Sequence, residues 1–152
     1  AKNGNPDAEV ADVTIPKYGY ARPWNSRHDQ YTWAIDETKS HQIGCIHTSQ
    51  GLEFDYIGVI LGKDIYYDPA NHTVNGDYAN YYDKTGKVGL KNKPDELSRY
   101  IKNIYRVLMT RGIKGCAIFC CDKNMQAYMK ERLKTVESNT LRLLTYNDHK
   151  DS

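Results

Sequence analysis

Two short stretches of this chain hold residue types that could do chemistry at a phosphate. The first is His47-Thr48-Ser49-Gln50-Gly51-Leu52-Glu53. Small hydroxyl side chains and a glycine let backbone N–H groups approach a phosphate closely. A carboxylate a few residues on, Glu53, can accept from a ribose hydroxyl. The second stretch ends in Val107-Leu108-Met109-Thr110-Arg111-Gly112. An arginine at a helix end, beside a glycine, can point across an interface. Its planar fork would there stabilise charge spreading over a transferring phosphoryl group. Each stretch also has a plainer reading: a β-turn with a capping glutamate, and a surface arginine that the helix dipole favours. Taken singly, the plainer readings have the stronger claim.

Taken together, the stretches weigh differently. HTSQGLEFD resembles motif V of superfamily 1 helicases, and VLMTRG resembles motif VI, in the right order. The longer strings IGCIHTSQGLEFDYIGVILGKD and NIYRVLMTRGIKGC look closer still to the Schlafen-group-3-like DNA/RNA helicase family, and Pro23-Trp24-Asn25 is like a feature of that family. The resemblance covers roughly residues 23–134 and is specific because two separated motifs agree.

The resemblance implies the second, C-terminal RecA-like lobe of an ATP-dependent nucleic-acid motor. By it, Arg111 is the catalytic arginine finger, reaching nucleotide held by an upstream RecA-like lobe of the same protein. Glu53 faces the ribose, Gly51 gives close backbone approach, and Gln50 sits at the junction of the nucleotide and nucleic-acid sites. His47, Thr48 and Ser49 lie toward the nucleic-acid backbone. ATP with Mg2+ is the implied cofactor, bound only together with the upstream lobe, and DNA or RNA is the implied partner. Two features depart from the helicase pattern. Gly112 stands where alanine is common, and residues 62–92 lengthen the segment between the motifs. Both bear on translocation and strand separation more than on nucleotide binding. Two alternatives stay open: a regulatory NTPase lobe that binds nucleic acid or protein without unwinding, and a non-catalytic interaction domain.

A Walker A loop needs G-x-x-x-x-G-K-[ST]. The nearest string is Gly58-Val59-Ile60-Leu61-Gly62-Lys63-Asp64, with three residues between the glycines and an aspartate in place of the magnesium-binding hydroxyl. It also falls in an expected strand. The chain is therefore expected to hold half of a nucleotide site and to have no ATPase activity in isolation.

The elements that must position these groups read as α/β, a RecA-like, mainly parallel sheet flanked by helices. Tyr56–Leu61 and Cys116–Cys121 are apolar on both alternating faces, as central parallel strands are. Val13–Ile15, Tyr31–Ile35 and Ile43–Ile46 are further strand candidates, the last leading into a loop at 47–51. Pro94 opens a helix with Asp95 and Glu96 in its first turn. Leu97, Tyr100, Ile101, Ile104, Val107 and Leu108 recur on one face, and Gly112 is the expected C-terminal stop. Asp122 is placed to cap a last helix near Asn124–Lys134, and Leu141–Tyr146 is a possible final strand. Between the motifs, residues 62–92 read as an inserted hairpin outside the core, turning at Asn75-Gly76. The expected organisation is an irregular segment at 1–22, the lobe at 23–146 with its 62–92 insertion, and a tail at 147–152.

Composition narrows the class without choosing a partner. With 39% hydrophobic and 26% charged residues the chain is globular rather than disordered. No apolar run approaches the roughly 20 residues that span a bilayer, and the first residues lack a signal-peptide pattern. A cytoplasmic protein with no membrane partner is expected. A formal charge of +2 is too small to argue for nucleic acid, so any such site must be local. The four cysteines, at 45, 116, 120 and 121, lack metal-ligand spacing and read as reduced core thiols. Tyr66, Tyr67, Tyr78, Tyr81 and Tyr82 crowd the insertion. With lysines between them they could stack on single-stranded bases, but cross-strand packing in a hairpin is the favoured reading.

Overall fold

The computed structural model describes residues 10–25 and 32–135. The chain divides into two compact units, Ala1–Leu52 and Glu53–Ser152.

In the first unit, β1 (Val13–Ile15) and β2 (Tyr20–Arg22) pair antiparallel. A 3-10 turn at Pro16–Tyr18 joins them, and Gly19 closes it in the left-handed region at φ 60°. The strand expected at Tyr31–Ile35 is absent over its described part. Thr32–Ile35 form a turn whose Thr32 carbonyl accepts from Ile35 and Asp36. Ile43–Ile46 is likewise not a strand. Ile43 makes an isolated parallel bridge with Trp24, and Cys45 then caps the short helix α1 (Ile46–Ser49). The Trp33 ring packs so closely on Gly44 that a Cβ there would overlap it.

The second unit is α/β. Its strands and helices are β3 (Phe54–Leu61), β4 (Ile65–Asp68), β5 (Thr73–Gly76), α2 (Pro94–Met109), β6 (Gly112–Cys120) and α3 (Lys123–Thr135). Among the described residues, β3 and β6 form a two-stranded parallel sheet from Phe54↔Gly112 to Leu61↔Cys120. The two continuous apolar runs read from the sequence are thus sheet partners. Helices α2 and α3 pack against the strands, and Val59, Leu61, Ile101, Cys116, Ile118 and Met125 share the core. Helix α2 buries Leu97, Ile101 and Tyr105 at four-residue steps, with Ser98 beside them. Leu97 and Ile101 are 1% and 0% exposed, and each contributes about 1.5–3 kcal/mol by leaving water. Asp122 caps α3 as expected: its carboxylate accepts from the Met125 amide at 2.6 Å.

The 62–92 excursion does hold a hairpin, β4 with β5, but two expectations about it change. The turn lies between Asp68 and Thr73, with His72 at φ 53°, and not at Asn75-Gly76. Asp68 braces that turn by accepting from the Ala70 amide at 2.9 Å and the Asn71 amide group at 2.7 Å. Gly76 ends β5 instead. Its N–H donates to the Ser98 hydroxyl at 2.9 Å, and a Cβ would meet Ile101 at 2.9 Å. The glycine is there for close approach to α2. Finally, the excursion is not outside the core, because Ile65 and Tyr81 are buried in it. The strand expected at Leu141–Tyr146 and the tail lie outside the described residues.

Candidate functional site

In the first unit, the candidate residues His47–Gly51 are built on and just after α1. The Cys45 amide donates to the Thr48 hydroxyl at 2.9 Å, and the Thr48 amide donates back to the Cys45 carbonyl at 3.1 Å. This reciprocal pairing satisfies the donors that a helix start leaves open. The Ser49 hydroxyl donates to the same carbonyl at 2.8 Å, and Ser49 is buried. His47 is exposed and Thr48 half-buried. The loop expected at 47–51 is therefore one helical turn, whose two hydroxyls are tied to its own N-terminus. Gln50 leaves it in an extended conformation and Gly51 follows at φ 81°, both exposed. A Cβ on Gly51 would meet nothing within 4 Å, so glycine serves the backbone angle here and leaves the peptide open to a ligand.

In the second unit, the residue after Glu53 is joined to Arg111 through the backbone. Glu53 is exposed immediately before β3. The next residue, Phe54, donates its amide to the Arg111 carbonyl at 2.9 Å. Arg111 lies between α2 and β6, with its own amide bonded to Leu108 at 3.1 Å. Its Nε donates to the Val107 carbonyl at 3.2 Å, and the Thr110 hydroxyl donates to the same carbonyl at 3.0 Å. Two donors thus converge on a carbonyl in the last turn of α2, where partial negative charge gathers. The Nε bond fixes the guanidinium plane and leaves the two Nη groups as its presenting fork.

Gly112 is not the left-handed helix stop that the sequence suggests. Thr110 caps α2, and Gly112 begins β6 with no positive φ. The register Phe54↔Gly112 then Tyr56↔Gly115 gives β6 one extra residue, a β-bulge. A Cβ at Gly112 would collide with the Gly115 carbonyl oxygen and lie 2.9 Å from Ile57 Cγ2. That accounts for glycine where helicases commonly carry alanine. The bulge makes room for no side chain beside Arg111.

Glu53 and Arg111 therefore lie where β3 and β6 begin. The expectation that 47–51 directly follows a strand is not met. Sequence reasoning also missed Thr110, Val107 and Phe54, which act here through backbone or short-range bonds that leave no pattern in residue type. The Walker-like string forms no phosphate loop, since Gly58–Leu61 lie within β3 and Asp64 accepts from the Tyr105 hydroxyl at 2.7 Å. Among the described residues no three His, Cys, Asp or Glu side chains converge to hold a metal ion. No described helix is long and apolar enough to cross a membrane.

Comparison with known proteins bears on this pair of motifs. No solved structure matches the chain. It is 35% identical over 107 residues to the uncharacterized protein YPL245W of Saccharomyces cerevisiae, an alignment covering 68% of this chain and 22% of that protein. The chain thus spans about a fifth of the length of that relative. The family model for the Schlafen group 3 DNA/RNA helicase domain matches residues 2–122, which includes both stretches and the bulge at the start of β6. With most of its length matched, the chain belongs to the Schlafen group 3 DNA/RNA helicase domain family.

Proposed function

We propose that this chain is the second lobe of an ATP-dependent DNA or RNA motor and completes a nucleotide site begun by an upstream lobe. The observation that carries the reading is the Phe54–Arg111 backbone bond, which ties the residue after Glu53 to the motif VI arginine at one end of the sheet. Glu53 accepts from the ribose, and the open peptide at Gly51 approaches the nucleotide beside Gln50. The Arg111 fork stabilises charge on the transferring phosphoryl group, as an arginine supplied from a neighbouring lobe does. His47, Thr48 and Ser49 form the turn that meets the nucleic-acid backbone. His47 offers an exposed side chain, while the Thr48 and Ser49 hydroxyls donate to the Cys45 carbonyl and so act by shaping the turn. ATP with Mg2+ would need phosphate and metal ligands from the upstream lobe. A shared site of this kind lets γ-phosphate contacts bridge two lobes and their loss release them, converting hydrolysis into domain motion.

The test is ATP turnover by the whole protein, with and without single-stranded DNA or RNA, comparing wild type with Arg111→Ala. Strand-stimulated turnover that Arg111→Ala abolishes is the expected result. Turnover that ignores nucleic acid would favour a regulatory NTPase, and activity untouched by Arg111→Ala would leave an interaction domain.

A further inference from the structure

The excursion after β3 carries a cleft that neither motif uses. It has a volume of about 380 Å³ and is lined by residues including Tyr66, Asp77, Tyr78, Leu90, Lys91 and Leu97. That is near the lower end of small-ligand pockets, which run about 300–1,000 Å³. It suits one nucleotide better than a helix or a folded partner.

Its aromatic walls are held in place. Tyr66 lies in β4 opposite Asn75 and is 39% exposed. Lys87 Nζ sits 4.3 Å from the Tyr78 ring centroid and donates to the Tyr81 carbonyl at 2.6 Å, so it braces that ring from the chain itself. Tyr81, by contrast, is 6% exposed and meets Tyr100 edge-on at 6.2 Å. The five crowded tyrosines therefore separate: Tyr81 packs in the core, Tyr67 stacks on Tyr128 at 4.4 Å, Tyr82 is exposed outside the cleft, and Tyr66 and Tyr78 line it.

The polar groups suit a base edge and a phosphate. The Asp77 carboxylate is oriented by the Ala79 amide at 2.9 Å and the Asn80 side chain at 2.6 Å. It retains lone pairs for the N–H groups that every nucleobase carries. Lys91 is exposed and supplies a cation. Asp95 and Glu96, in the first turn of α2, disfavour an anion at the helix start, which leaves the Lys91 side for the phosphate.

We propose that this cleft takes one unpaired base of single-stranded DNA or RNA, stacked on Tyr66 and Tyr78, with Asp77 on its edge and Lys91 on the adjoining phosphate. The inference rests on the nucleic-acid-binding part of the function proposed above and adds a contact point outside motif V. Stacking on aromatic side chains is tolerant of sequence because every base has a π-face. The cleft would grip a strand without reading it.

The experiment measures binding of a fluorescent single strand to the full chain by anisotropy. The probes are a thymidine or uridine homopolymer, an abasic strand of equal length, and a duplex. The variants are Tyr66→Ala with Tyr78→Ala, the same pair to Phe, and Thr48→Ala in motif V. The cleft predicts a loss of about tenfold or more for the alanine pair, near-wild-type affinity for the phenylalanine pair, and weak binding of the abasic strand and the duplex. Unchanged affinity for the folded alanine pair overturns it, as does an abasic strand that binds as well as the homopolymer. No measurable binding by wild type also overturns it. If Thr48→Ala weakens binding while the tyrosine variants do not, the cleft fails and motif V stands. The reverse pattern upholds the cleft and removes the motif V contact.

Discussion

The Phe54 amide donates to the Arg111 carbonyl at 2.9 Å, so the start of β3 and the residue before β6 are fixed to each other by main chain alone. Side-chain replacement at Arg111 leaves that bond in place. The function of the guanidinium can therefore be separated from the fold. On the function proposed above, Arg111→Ala in the whole protein is expected to lower strand-stimulated ATP turnover by about 10³-fold or more, the scale on which arginine fingers act. The melting temperature of the same variant is expected to stay near wild type. A large fall in melting temperature would assign Arg111 a structural role instead.

Gly112→Ala has the opposite profile. The added methyl runs into the Gly115 carbonyl and crowds Ile57, so the bulge must open or the strands shift. Overpacking of this kind costs about 1–3 kcal/mol. Denaturant unfolding of the variant is expected to show that loss. A variant as stable as wild type would mean that the bulge relaxes freely, and the helicase-like alanine would then be acceptable here.

Gly51 makes a narrower test of backbone angle. Its φ of 81° lies in the left-handed region, and a methyl group would meet no atom within 4 Å. Only conformational strain opposes Gly51→Ala, at roughly 1–2 kcal/mol. Gly51→Asn should recover part of that, because asparagine tolerates this region better. Equal losses for both variants would point to crowding and not to strain.

Much of this arrangement is legible in residue pattern, and its exceptions have physical causes. The runs at 56–61 and 116–120 are apolar on both alternating faces, as central parallel strands are, and they do pair. The stripe from Leu97 to Tyr105 and the Asp122 cap are equally plain. Ile43–Ile46 misleads because four apolar residues suit a strand or a helix entry. The Thr48 hydroxyl, reaching back to the Cys45 amide, decides for the helix. Asn75-Gly76 misleads because glycine serves either a turn or a close approach, and the choice depends on Ser98 and Ile101, distant in sequence. In the candidate site, the residue types of the two motif-like stretches are visible, but the bonds that orient Arg111 run to backbone carbonyls. Those bonds carry no signature in residue type.

The buried contact between Tyr105 and Asp64 sets a pH dependence. The Tyr105 hydroxyl donates to Asp64 at 2.7 Å and accepts from the Gly62 amide at 3.0 Å. Burial holds the Asp64 carboxyl above its ordinary value of 3.8, outweighing the Tyr105 hydrogen bond, and the charge of Asp77 adds in the same direction. A carboxyl with a raised folded-state pKa binds its proton more tightly when folded. Its contribution to stability therefore rises as pH falls through the folded value toward 3.8, and above that window its buried charge is a steady cost. Asp64→Asn keeps an acceptor for Tyr105 and removes the titration. It is expected to be at least as stable as wild type at neutral pH and to lose this component of the acid-range profile. Tyr105→Phe instead strands Asp64 and the Gly62 amide, and should cost about 1–3 kcal/mol.

The cysteines give a direct probe of the core around β6. Cys116 and Cys120 are buried there, at 3% and 5% exposure, and Cys121 just beyond the strand is exposed. Burial pushes the Cys116 thiol up to about 11, and pushes Cys120 up to about 12 with the neighbouring Cys121 and Asp122 adding to it. The thiolate is the reactive form, so both should be inert in the native protein at neutral pH. Burial raises Cys121 as well, with Lys63 partly opposing the shift, but reagent can reach it. Labelling with an aromatic disulfide should therefore modify Cys121 first, half-buried Cys45 more slowly, and Cys116 and Cys120 only on unfolding. Mass spectrometry of digested, partly labelled protein resolves the order. Early modification of Cys116 or Cys120 would show that β6 opens locally from α3, and the strand that starts beside Arg111 would then be mobile along its far half.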